Sequence, residues 1–121
     1  MSWNHEVIIV AGYKLDSDAF SKGAEKWEEM AFGKNGDESL QKYEDYFIDT
    51  DPISGQGPFF FGKILRCYSS DDDYCPTEEL NSILTPLKDI DEIRENFHLI
   101  FDEFLGGSEC KFSKWITNRW I

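Results

Sequence analysis

Val7-Ile8-Ile9-Val10-Ala11 is an unbroken apolar run in which four of the five residues are β-branched. With no polar residue alternating into it, the run has the pattern of a strand covered on both faces or lying centrally in a sheet. It predicts a strand over Glu6–Leu15 as the nucleus of the fold. A second strand is predicted over Phe59–Tyr68, where Phe59-Phe60-Phe61-Gly62-Lys63-Ile64-Leu65-Arg66-Cys67-Tyr68 follows a Gly- and Pro-containing loop. Lys63 and Arg66 stand three residues apart, so in a regular strand they occupy opposite faces, with one end reaching solvent. The third strand is the terminal stretch Lys111–Ile121.

The segments between these strands read as helices. Asp16-Ser17-Asp18 supplies N-cap chemistry, and Phe20, Ala24, Trp27 and Ala31 recur at helical spacing, giving a helix near Asp18–Ala31 that Gly33 closes at the C′ position. Residues 37–49 suit either state, with the balance toward a helix that becomes extended near Phe47. Thr77 can cap a short helix over Glu78–Leu84, and Thr85-Pro86 starts a long one, Pro86–Leu105, with Pro at its first position. Ile90, Ile93, Phe97, Ile100, Phe101 and Phe104 form the broadest apolar stripe in the chain, ended by Gly106-Gly107. The predicted class is α+β: a small mixed sheet of about three to four strands with helices packed on one face, in one globular domain spanning 1–121. Helical connections permit some parallel pairing.

Charge is the other strong signal. Twenty-four acidic side chains oppose twelve basic ones, a net charge of −12 on 121 residues, in a chain that is 16% aromatic. Such a surface draws cationic partners and repels polyanions, while the aromatics set it apart from a disordered acidic tail. Cys67, Cys75 and Cys110 are odd in number and make no CxxC pair, which points away from a disulfide framework and toward a reducing compartment. The N-terminus shows no basic region followed by a signal-length apolar run, and Val7–Ala11 is far too short for a membrane span. A cytoplasmic location is expected.

No cluster reaches a catalytic signature. Asp71-Asp72-Asp73 followed by Glu78-Glu79, and Asp49 with Asp51 beside a Gly-rich loop, lack the alternating spacing of a calcium-binding loop and read as solvated acidic loops. They are the candidate partner-binding residues. His98 shares a polar helical face with Asp91, Arg94 and Asp102, and His5 precedes the first strand with no nucleophile at identifiable spacing. The acidic loop between Cys67 and Cys75 should raise a thiol pKa and disfavour thiolate chemistry. Gly55-Gln56-Gly57 lacks the lysine and spacing of a phosphate-binding loop. No cofactor and no metal site is expected. The clustered phenylalanines read as core, since base-stacking platforms come with basic grooves.

Residues 104–121 hold three bases and one acid. Lys111, Lys114, Trp115, Arg119 and Trp120 therefore form a possible second contact surface, for self-association through the C-terminal strand or for a partner. The acids concentrate in residues 16–51, 71–79 and 89–103, on predicted helix surfaces and loops.

Ala11-Gly12-Tyr13-Lys14 at the end of the opening strand, Phe61-Gly62-Lys63-Ile64 in the middle strand, a long helix and a terminal strand together resemble, in layout, small uncharacterised acidic proteins of tailed bacteriophages. The resemblance implies no catalytic residues; it implies a setting in which small acidic proteins bind and disable host proteins. Three uses fit these readings. The foremost is a non-enzymatic protein engaging a basic protein through an acidic face, as an inhibitor or DNA mimic does, without itself binding nucleic acid or membrane. The others are a structural or accessory protein whose acidity serves solubility, and a carboxylate- or metal-dependent enzyme.

Overall fold

The computed structural model describes residues 5–52, 54–55, 57–69, 84–105 and 111–120. In chain order the elements are β1 (His5–Leu15), α1 (Ser17–Phe32), a 3-10 helix (Glu38–Tyr46), β2 (Phe47–Asp49), β3 (Phe59–Ser69), α2 (Leu87–Leu105) and β4 (Ser113–Trp120). The α+β class and all three predicted strands are present, and residues 37–49 are helical and then extended from Phe47. The short helix expected over Glu78–Leu84 falls largely outside the described residues, as does Gly106-Gly107.

The four strands form one sheet in the order β2-β3-β1-β4, with β1 central as its sequence demands. Every described pairing is antiparallel, so the sheet is not mixed. β3 and β4 do run in the same direction, as the helical connection between them allows. β1 lies between them, so their shared direction never becomes a parallel pairing.

Ile8, Ile9, Val10 and Ala11 are fully buried, which accounts for the missing polar alternation. On one face of the sheet Tyr13, Leu15, Phe59 and Phe61 pack against Ala19, Trp27 and Ala31 of α1, Tyr43 of the 3-10 helix, and Ile93, Phe97, Ile100 and Phe101 of α2. On the other face Ile8, Val10, Ile48 and Phe60 form a second cluster, joined by Ile64 and Trp115. All the described helices thus sit on one face, and the sheet curls around a small core of its own on the other.

Two local features permit the curl. The pairing of β1 with β3 shifts register between Ile9 and Val10, because Arg66 and Ile64 are successive partners and Leu65 is left over as a bulge. Beyond it, Gly12 pairs with Gly62, and a Cβ on either would collide with the main chain of the opposite strand. The bulge also overturns the expected placement of Lys63 and Arg66. They pair with Ala11 and Ile9, two residues apart on β1, and so share a face. The extra residue reverses the side-chain parity of the strand, and Lys63 reaches Asp89 of α2 at 3.0 Å.

The curl brings the sheet edges together diagonally. Trp120 pairs with His5 at one end of β1, whereas Thr50 follows β2, whose Asp49 pairs with Phe59 opposite Leu15 at the other end. A straight strand of that length would hold the two ends roughly 33 Å apart. In the coiled sheet the Trp120 N–H bonds to the Thr50 carbonyl at 2.8 Å.

α1 is capped by the Asp16 carboxylate, which accepts from the Ala19 N–H at 2.7 Å. Its buried stripe is Ala19, Gly23, Trp27 and Ala31, which keeps Trp27 and Ala31 of the expected stripe and replaces Phe20 and Ala24 by the residues just before them. Phe20 is instead half-buried between Phe47 and Phe59 at the sheet margin. Gly33 ends the helix with an extended backbone rather than a left-handed one. Gly23 is needed because the Phe101 ring occupies the space a Cβ would take, bringing α1 against α2. Pro86, expected at the first position of the helix, stands one residue before α2 begins at Leu87, its carbonyl accepting from Asp89 and Ile90. No described helix is long and apolar enough to cross a membrane.

Candidate partner-binding surface

The three helices present their outer faces side by side, and charge divides between layers. The helices carry thirteen acids and five bases, a net of −8, whereas the four strands carry two acids and five bases, a net of +3. Amphipathic periodicity is the cause: each helix buries its apolar stripe and turns its carboxylates outward.

Three of the helical bases are taken up within the layer or its rim. Lys22 pairs with Asp18, Lys26 with Glu103 at 2.6 Å, and Lys42 with Glu92. Arg94 lies over the Phe112 ring, 5.1 Å from its centre. Glu25, Glu28, Glu29, Glu38, Glu44, Asp45, Asp91 and Glu95 have no basic partner among the described residues. Along α2 the exposed line Asp91, Glu95, Leu99 and Asp102 follows helical spacing, with Leu99 48% exposed among the carboxylates.

A groove of about 640 Å³ runs between the 3-10 helix and α2, lined by Lys42, Tyr43, Lys88, Asp91, Glu92 and Glu95. The buried Tyr43 donates its hydroxyl to Glu92 at 3.0 Å. Its neighbour Tyr46 is pushed up to about 12, by burial first and then by the charge of Glu92. The Tyr46 phenol therefore stays protonated at neutral pH and is not poised to act as a base. Two lysines offset most of the groove's negative charge.

The residues singled out from sequence meet different fates. Asp71, Asp72, Asp73, Glu78 and Glu79 lie outside the described residues. Asp49 and Asp51 serve the turn after β2: Asp49 accepts from the Asp51 N–H at 3.0 Å, and Asp51 accepts from both the N–H and hydroxyl of Ser54. Buried Thr50 between them donates N–H and hydroxyl to the Pro58 carbonyl.

At the C-terminal strand, Lys111 is exposed. Lys114 pairs across to Ala11, and Trp120 is 43% exposed. Trp115 turns to the sheet's second core, donating its indole N–H to the Gly12 carbonyl at 3.1 Å, with the Lys14 ammonium 5.9 Å above its ring. Arg119 forms a two-pronged contact with one oxygen of Glu6, its cross-strand partner. That guanidinium holds the Glu6 carboxyl below its ordinary value against the opposing effect of burial. Trp115 and Arg119 therefore stabilise the curled sheet.

His98 bonds to Asp102 at 2.9 Å on the exposed face of α2, the arrangement its helical spacing predicts. The Cys67 thiol is pushed up, as expected, but for another reason: burial around the sulfur comes first, followed by the hydrogen bond and charge of Glu6. Cys75 and Cys110 lie outside the described residues. No three His, Cys, Asp or Glu among the described residues converge as a metal-ligand set. The chain matches no protein-family model, no curated protein and no solved structure.

Proposed function

We propose that this chain is a non-enzymatic binding protein that engages a basic partner through the acidic outer face of its helical layer. The observation that supports the reading most directly is the separation of charge by layer, −8 on the helices against +3 on the strands. At a Debye length of about 8 Å in physiological salt, neighbouring carboxylates on packed helices sum into a field that captures a cationic surface and accelerates encounter. A rigid helical layer presents that field with little ordering cost at contact. A partner whose basic surface ordinarily meets a nucleic-acid backbone suits the layer best, because both offer regularly spaced anionic oxygens. The protein then acts as an antagonist competing for that surface, in the cytoplasm where such partners reside.

Titration with a labelled nona-arginine peptide over a range of salt concentrations tests the reading. Affinity should fall steeply as salt rises, heparin should displace the protein from the peptide, and Asp91→Lys with Glu95→Lys should weaken binding more than Asp49→Lys. Binding that is absent at low salt, or independent of salt, overturns it.

A further inference from the structure

The acidic layer is not uniform, and one place on it combines negative charge with an exposed ring. Phe32, the last residue of α1, is 55% exposed. It lines a shallow dish of about 310 Å³ together with Glu25, Glu28, Glu29 and Gly33. Glu28 and Glu29 lie four and three residues before Phe32 and Glu25 seven before it, so helical spacing sets all three on the ring's side of α1.

The dish has three sources of attraction for a cation. Its three carboxylates have no basic partner among the described residues. The last turn of α1 holds no basic residue, so its terminal carbonyls, bonded to the neutral N–H groups of Gly33, Asp37 and Gln41, keep a partial negative charge that no cationic side chain offsets. The face of an aromatic ring also attracts a cation. Lys26 and Lys34 line a neighbouring depression with Glu29; Lys34 makes no ion pair there, and Lys26 is committed to Glu103. The groove between the 3-10 helix and α2 differs because Lys42 and Lys88 line it. The Phe32 ring is held in place by Trp27, nearly perpendicular to it at 5.5 Å between centres. Trp27 is itself fixed by its indole bond to the Leu40 carbonyl at 2.8 Å.

We propose that Phe32 and the carboxylates of Glu25, Glu28 and Glu29 form an anchor site for an arginine side chain of the basic partner. The guanidinium stacks on the ring while its N–H groups bond to the surrounding carboxylates. A planar, delocalised guanidinium satisfies ring and carboxylates together, which a compact ammonium does less well. The site rests on the reading of the helical layer as the partner-binding face and names the side chain it selects.

The test compares nona-arginine and nona-lysine binding to the whole chain and its variants by fluorescence anisotropy at low salt, with far-UV circular dichroism confirming that each variant folds. Phe32→Leu keeps apolar bulk and removes the ring, and should weaken nona-arginine binding about two- to fivefold, the range for a cation over an exposed ring. Phe32→Trp should preserve or tighten it. The triple change Glu25→Gln, Glu28→Gln and Glu29→Gln should weaken binding more than Glu38→Gln, Glu44→Gln and Asp45→Asn, which removes the same charge from the 3-10 helix. Nona-lysine should bind more weakly and lose less affinity than nona-arginine on Phe32→Leu. Unchanged nona-arginine affinity in Phe32→Leu overturns the anchor while the acidic layer still binds. Absence of binding by the unaltered protein overturns both the anchor and the reading beneath it.

Discussion

The main-chain N–H of Trp120 donates to the main-chain carbonyl of Thr50 at 2.8 Å, linking the end of β4 to the residue that follows β2 although these strands lie at opposite edges of the sheet. Thr50 is fully buried and its hydroxyl is bonded to the Pro58 carbonyl at 2.7 Å. Thr50→Val should therefore cost about 1–2 kcal/mol in urea unfolding, the penalty for losing one partner of a buried hydrogen bond. The Trp120 amide should resist hydrogen exchange despite its place at the end of an outer strand. Exchange at the rate of an open chain would show that the edges stand apart in solution.

The Gly12–Gly62 pair makes a second, more severe prediction. Each lacks room for a Cβ because the opposite main chain already fills the space. Gly12→Ala and Gly62→Ala should each destabilise by roughly 2–3 kcal/mol, as overpacking against atoms that cannot retreat does. The double substitution should depart from additivity because both act on one contact. Two variants as stable as the parent would mean that the strands separate easily here, and with that the tight curl would lose its explanation.

Gly23 offers a test in which the sign itself is informative. Alanine in place of glycine inside a helix ordinarily stabilises by about 1 kcal/mol. Here the Phe101 ring meets the added methyl group. Gly23→Ala alone should thus be destabilising, whereas in a Phe101→Leu background the same change should become neutral or favourable. Equal effects in both backgrounds would remove the ring as the reason for the glycine.

The Glu6–Arg119 pair predicts a pH dependence. Arg119 lowers the carboxyl pKa of Glu6 in the folded chain relative to an ordinary value of 4.5. A lowered folded value means that the unfolded chain takes up the proton first, so the pair stabilises fully above the ordinary value and ceases to do so as pH falls through the folded one. The Tm difference between the parent and Glu6→Gln should be constant near neutrality and shrink below about pH 4.5. A difference unaffected by acid would assign Glu6 a packing role only.

How much of this could be read from the residues follows from what each element must satisfy. β1 was legible because burial on both faces leaves its apolar run uninterrupted, and α2 because its stripe is wide. For β2 the change to extended chain near Phe47 was legible, but its place in the sheet was not, since the three residues Phe47–Asp49 are paired only through β3. The Leu65 bulge was invisible too, and with it the shared face of Lys63 and Arg66, because one inserted residue reverses parity without altering composition. Among the candidate binding residues, the helical acids follow from periodicity alone. The local hydrogen bonds of Asp49 and Asp51 were not legible, because side chains that fold back onto their own turn look the same in sequence as solvated ones. Phe32 was overlooked because an aromatic residue at the end of an apolar stripe reads as core, and only the helix's termination at Gly33 leaves it outside.

The opposite imbalances of the described helices and strands also contribute a permanent dipole directed across the two layers. In the field of a large cation, an electrical torque rotates the protein while the two are still separated by solvent. Under the proposed reading, a basic partner would be met helices first, and the orientational search that slows most protein encounters would be shortened before any side chain touches.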